Sequence, residues 1–200
     1  VAENNSYEVS ETVKVNFDKQ QHGIYVYIPE SGIEGIDLPD FKIPNQRDPE
    51  IDNVWVKEWN YEVYSENGNK VFQIGDADET VTGRQTFEFG YRMTIIDDRD
   101  TTKDFMYLDL LPTGWETAIK STTIHVTMPK VVDSSKIQVY ADTYGSNDMV
   151  SNVSWDCDET GQNITITGKN LAKGQGITIF AELPEGYWQD QLNYDSVLTL

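Results

Sequence analysis

Residues Phe72 to Met93 read FQIGDADETVTGRQTFEFGYRM, and the second half of that stretch decides the fold. From Thr86 to Ile96 the apolar residues Phe87, Phe89, Tyr91, Met93 and Ile95 take every second position, with Glu88, Gly90, Arg92 and Thr94 between them. Side chains of an extended chain alternate between two faces, so a period of two marks a strand with one face buried. A slip of one residue would bury the polar set instead, which makes the register a sharp expectation. The first half, DADETVTG, packs three carboxylates and two threonines into a loop. It either holds a metal or only turns the chain.

Working outward, the same period recurs. Tyr7, Val9, Val13, Val15 and Phe17 share one parity, and Glu11 breaks the pattern by sitting on it. After the Gln20-Gln21-His22-Gly23 turn comes GIYVYIP, a short strand ending at Pro29. Residues 30 to 50 carry Gly32, Gly35, Pro39, Pro44 and Pro49, hold no period, and read as a long loop. Asn53 to Tyr64 alternates as a single strand, with Trp55, Lys57 and Trp59 on one face. Asn67-Gly68 then supplies the positive φ that a tight hairpin needs, so Val71 to Ile74 returns antiparallel. Short strands follow at Phe105–Leu111, Thr122–Met128, Lys136–Ala141, Asn152–Cys157, Asn163–Thr167 and Gly176–Leu183, separated by turn residues. No amphipathic helix longer than a turn or two and no fixed repeat is present. The pattern predicts an all-β protein, an antiparallel β-sandwich of immunoglobulin-like or related type with few or no helices. Residues 1–200 read as a single domain, with 118–121 as the place where it would subdivide.

Composition narrows the function classes. A chain of 200 residues buries roughly 70% of its unfolded surface and needs neither disulfide nor metal to build a core. Thirty-four acids against 15 bases leave a net charge of −19, with no basic cluster, which excludes nucleic acid and anionic lipid as partners. The acid excess reads first as a solvated exterior. Cys157 is the lone cysteine, so no internal disulfide forms. No apolar run approaches the ~20 residues of a membrane helix. The chain starts at Val1 and stops at Asp195-Ser-Val-Leu-Thr-Leu200 without a capping signal, as expected of a segment of a longer protein.

The residues that could carry chemistry each have a structural reading beside the functional one. A calcium loop of EF-hand type wants Gly at position 6 and Glu at 12. Counted from Asp76, with Asp78 at position 3, those positions are Val81 and Phe87. Asp156-Cys-Asp158-Glu-Thr160-Gly161 comes closer, but its position 12 is Thr167. Asp97, Asp98 and Asp100 form another acidic loop. All three read as turns, and no metal or other cofactor is expected. Cys157 lies between two acids that raise rather than lower its pKa, and nothing local pairs it with His22 or His125. Trp55, Trp59, Trp115, Trp155 and Trp188 would suit a sugar platform, but read first as core and edge aromatics. Sequons stand at Asn4, Asn152 and Asn163. No catalytic constellation stands out, and the chain reads as a non-enzyme.

YEVSETVKVNF, HGIYVYIP, FQIGDADETVTGRQTFEFGYRM, MYLDLLPTGWETAIKSTTIHVTMP and GITIFAELPEG, in that order, resemble the YciQ-like family of bacterial predicted membrane proteins. The resemblance runs from about Tyr7 to Gly186. It implies a region of unknown function that follows a signal peptide, is displayed outside the cytoplasmic membrane, and is succeeded by membrane helices after residue 200. The chain departs from that pattern at Val26, where a basic residue is usual. It departs also at Leu108 and Asp109, in place of an aromatic and an Asn, and at Ala118 in place of a Pro. The resemblance supplies no activity and no site. The reading that follows is an extracytoplasmic interaction or sensing module with an unknown protein or cell-wall glycan partner. A carbohydrate-binding module and an enzyme of unrecognised type remain the rival classes.

Overall fold

The computed structural model describes residues 1–30, 37–38, 41–42, 49–96, 101–141, 143 and 151–191. The acidic loop of Asp97, Asp98 and Asp100, most of the expected loop at 30–50, and the terminal 195–200 stretch lie outside the described residues.

The first eight strands are β1 (Ser6–Gln21), β2 (Gly23–Pro29), β3 (Asp37–Leu38), β4 (Phe41–Lys42), β5 (Glu50–Lys57), β6 (Tyr61–Glu66), β7 (Asn69–Gly75) and β8 (Val81–Thr94). Two antiparallel sheets, ordered β1-β8-β5 and β2-β7-β6, face one another, and β3 pairs with β4. Their inner faces interdigitate in one apolar core of Ile24, Val26, Ile28, Phe72, Ile74, Phe87, Phe89 and Tyr91. Phe72, Phe87 and Phe89 are fully buried, each contributing roughly 1.5–3 kcal/mol by leaving water. The register expected for Thr86–Ile96 is therefore the one observed, with Met93 the least buried member of its set.

The Asn67-Gly68 hairpin also forms as expected. Both residues have positive φ, 49° and 75°, and β6 and β7 pair from Glu66↔Asn69 upward. The strand expected over Asn53–Tyr64 is instead two. Asn53 (φ 49°) sits in a register shift of β5 against β8, and Glu58 (φ 63°) ends β5. The chain then crosses to the other sheet as β6. Periodicity misled here, because Trp55, Trp59 and Val63 share one parity in the sequence, whereas the core-facing residues switch from Val54 and Val56 to Trp59 and Val63 across the break.

The remaining strands are β9 (Lys103–Leu111), β10 (Ile119–Thr127), β11 (Ile137–Tyr140), β12 (Val153–Cys157), β13 (Asn163–Leu171) and β14 (Ile177–Pro184). A three-residue 3-10 turn, Ser134–Lys136, is the only helical element among the described residues. Sheets β11-β14-β9 and β10-β13-β12 enclose a second core that includes Met106, Leu108, Val126, Ile164, Ile166 and Ile179. The strands of one core end with β8 and those of the other begin with β9, while residues 118–121 lie at the entry to β10. Val9 and Met93 pack against both cores, and Tyr7 of β1 belongs to the second, so the two are continuous through β1 and β8.

Candidate binding surface

The outer face of β2-β7-β6 carries a different chemistry from the rest of the exterior. Ile24, Val26 and Ile28 turn inward, so Tyr25 and Tyr27 are forced to the opposite side by the period of the strand. Register places Tyr27, Val71 and Tyr64 in one row across the sheet. Tyr25, Gln73 and Glu62 form the next row, and Pro29, Asn69 and Glu66 the row on the other side. Tyr25 is 50% exposed, Tyr27 39% and Tyr64 37%, whereas Val71 beneath them is fully buried. The rings of Tyr25 and Tyr27 stack at 6.4 Å with planes 22° apart. The Tyr64 phenol is pushed above its ordinary pKa, first by partial desolvation and then by Glu66, Tyr25, Tyr27 and Glu62 around it. An aromatic face this open is rarely left without a use.

On the side of β2 away from β7 this face meets the connection between β9 and β10. Tyr25, Val26 and Tyr27 line a shallow hollow with Pro112, Gly114 and Trp115. Trp115 packs against the first core although its flanking strands belong to the second. Its carbonyl accepts a hydrogen bond from the Gly174 amide at 3.1 Å, which ties the loop to the turn before β14. Trp115 thus anchors the loop, and the place it anchors is the border of the tyrosine face.

The tryptophans do not form a platform. Trp59 lies beyond the end of β5, not on one strand with Trp55. Its indole stacks on Phe87 at 4.6 Å and donates to the Thr86 carbonyl. Trp55 points to the other side of the sheet, 42% exposed, with its ring over Gly90. Trp155 packs on the second core, and Trp188 is buried in it, donating Nε1–H to the Phe105 carbonyl at 3.0 Å.

The acidic loops are hydrogen-bonded as turns. Asp76 accepts from the Asp78 amide at 2.8 Å and from Asn60 Nδ2 at 2.7 Å, and these bonds hold its carboxyl below the usual range. Asp158 accepts from Thr160 Oγ1, Asn163 Nδ2 and the amides of Gln162 and Asn163, and is depressed further. The Asn163 amide of that sequon is thus engaged within its own turn. Cys157 packs against the second core, while His125 is exposed on β10 with Nδ1 3.2 Å from Thr165 Oγ1. The two lie on opposite faces of one sheet, and burial followed by Asp158 and Asp156 raises the thiol pKa. His22 sits in the β1–β2 turn, its Nδ1 near the carbonyls of Asp76 and Glu79.

Of the departures from the family pattern, Val26 (4% exposed) and Leu108 are core residues, so they tune packing rather than a surface. Asp109 faces outward and accepts from Thr178 Oγ1, and Ala118 is exposed ahead of β10. Sequence reading passed over the tyrosine face. The signal was there in GIYVYIP and YEVYSE, where Tyr25, Tyr27 and Tyr64 take the parity opposite to Ile24, Val26, Ile28 and Val63.

The family model of the N-terminal domain of predicted membrane proteins (DUF2207) matches residues 1–183, and the chain belongs to that family. No curated protein and no solved structure matches it. Among the described residues no helix is long and apolar enough to cross a membrane.

Proposed function

We propose, from its membership of that family, that the chain is an extracytoplasmic interaction or sensing module of a membrane-anchored bacterial protein, and that the tyrosine face is its recognition surface. The observation that carries the reading is the set of three exposed tyrosines on one flat sheet face, bordered by the Trp115 loop. The phenol hydroxyls of Tyr25, Tyr27 and Tyr64 have no hydrogen-bond partner among the described residues, leaving donors and acceptors open toward a ligand. Aromatic side chains with a polar tip are favoured at recognition sites because they offer large contact area at low entropic cost. The family supports a membrane-associated setting. The resemblance to the YciQ-like proteins supports display outside the cytoplasmic membrane, with anchoring helices beyond residue 200.

The test uses the full-length protein in bacterial cells, with a photo-crosslinking amino acid at Tyr27 or Tyr64 and, as control, at Thr12 on β1, outside this face. Crosslinked products at the tyrosine positions and not at Thr12 are expected, and equal labelling at all three would sink the reading. Location is tested separately with Tyr64→Cys in intact cells. A membrane-impermeant maleimide should label it, and protection until the cells are lysed would place it on the cytoplasmic side.

A further inference from the structure

We propose that the tyrosine face binds a cationic polypeptide segment, its Lys or Arg side chains lying over Tyr25, Tyr27 and Tyr64 with their charge met by Glu62 and Glu66. This rests on the tyrosine face being the recognition surface and adds the class of ligand. Among the described residues the face has no cation of its own. Glu62 and Glu66 alternate with Tyr64 along β6 and project to the same side. Neither has an ion-pair partner among the described residues, whereas the neighbouring Glu30 is already paired with Lys70 at 2.7 Å. The other members of the face, Gln73, Asn69 and Pro29, are neutral.

The faces of phenol rings carry negative potential and attract cations most strongly where water is partly displaced, as over two stacked rings. Tyr27 and Tyr64 sit on either side of Val71, about 10 Å apart across two strand spacings. The stems of two long basic side chains can lie along the apolar cover that the tyrosines make over Val71, while their heads reach the rings and the β6 carboxylates. The chain's net charge of −19 steers a basic segment toward the molecule as a whole. The rings and the two unpaired glutamates give it a place to stop.

The experiment measures binding of a labelled 12-residue Arg-rich peptide to the folded protein at physiological salt. A peptide of the same sequence with citrulline for arginine serves as the neutral isostere, and a soluble cell-wall oligosaccharide as a third probe. Tyr27→Leu and Tyr64→Leu keep the apolar cover over Val71 and should each weaken the Arg peptide about threefold. Glu62→Gln with Glu66→Gln should weaken it about tenfold, and citrulline should abolish binding. Asp156→Asn with Glu159→Gln removes the same charge from the end of β12 and the turn after it, and should change affinity less than twofold. Equal losses in the two charge-matched pairs would show attraction to the whole acidic molecule and overturn the proposal. So would a lack of Arg-peptide binding. Tyr-dependent binding of the oligosaccharide alone would also overturn it, while leaving the tyrosine face standing as the recognition surface.

Discussion

Glu11 and Tyr91 meet on the inner faces of neighbouring strands, where the carboxyl and the phenol influence each other's titration inside an otherwise apolar sandwich. Glu11 stands opposite Phe89 in register and diagonal to Tyr91. Burial pushes its pKa from 4.5 up to about 7, and the Tyr91 phenol offsets this only in part. The folded state therefore holds a proton that the unfolded chain has released. Stability is greatest below about pH 4.5 as far as this group is concerned, and is lost as pH rises through 7. At about 1.4 kcal/mol per pKa unit the full effect is at most about 3.5 kcal/mol. Glu11→Gln should raise stability at pH 8 by about 2–3 kcal/mol and leave it nearly unchanged at pH 4.5. A denaturant titration showing equal effects at both values would refute the assignment. Asp76, Asp158 and Glu182, whose pKa values are lowered, act with the opposite sign and only at lower pH.

Glu11 also marks how far the sequence was legible. Its place on the apolar parity of β1 was visible in the alternation, but its partner on β8 depends on strand pairing, which no local pattern encodes. The strands themselves were readable, because one-sided burial writes a period of two into each. The break at Glu58 was not, since a single positive-φ residue can redirect a chain without disturbing composition. The tyrosine face needed both β2 and β6 to be placed beside β7 before their outward residues could be seen as one surface.

Gly90 is a position where the sheet tolerates no side chain. A Cβ there would lie 2.4 Å from the Val9 carbonyl oxygen and 2.6 Å from the Trp55 ring. The indole fills the space the glycine leaves, which accounts for an exposed tryptophan without a ligand. Gly90→Ala should cost about 1–3 kcal/mol, as overpacking does. Adding Trp55→Ala should not restore stability, because the contact with the backbone carbonyl remains. Full recovery in the double variant would mean that the ring alone sets the constraint.

Trp115 couples the two cores. It reaches from the β9–β10 connection into the first core, and its carbonyl is held by the turn before β14. Trp115→Ala should destabilise by about 3 kcal/mol. Because the lost contact joins the two halves, unfolding followed by circular dichroism should also become broader or separate into two steps. An unchanged melting temperature with a single sharp transition would count against the anchor.

The last expectation concerns divalent ions. The DADETVTG and DCDETG loops carry acids at spacings that invite a calcium reading. In each, however, the best-placed carboxylate is already occupied. Asp76 is bonded to the Asp78 amide and Asn60, and Asp158 to Thr160, Gln162 and Asn163. Binding an ion would replace bonds that shape the turn, and neither loop offers the glycine and bidentate glutamate that would compensate. Among the described residues no group of three or more His, Cys, Asp or Glu side chains converges. Thermal unfolding in calcium and in chelator, at matched ionic strength, should therefore coincide, while Asp158→Ala should lower the melting temperature equally in both. The Asp158 contribution should fade on acidification, since a carboxyl with a depressed pKa stabilises the fold above its unfolded pKa and ceases to do so once protonated. A specific ion at a hundredfold excess over its dissociation constant would add about 2.7 kcal/mol, a shift of several degrees. A calcium shift of that size, absent with magnesium and lost in Asp158→Ala, would make the loop a metal site and its turn hydrogen bonds a resting state.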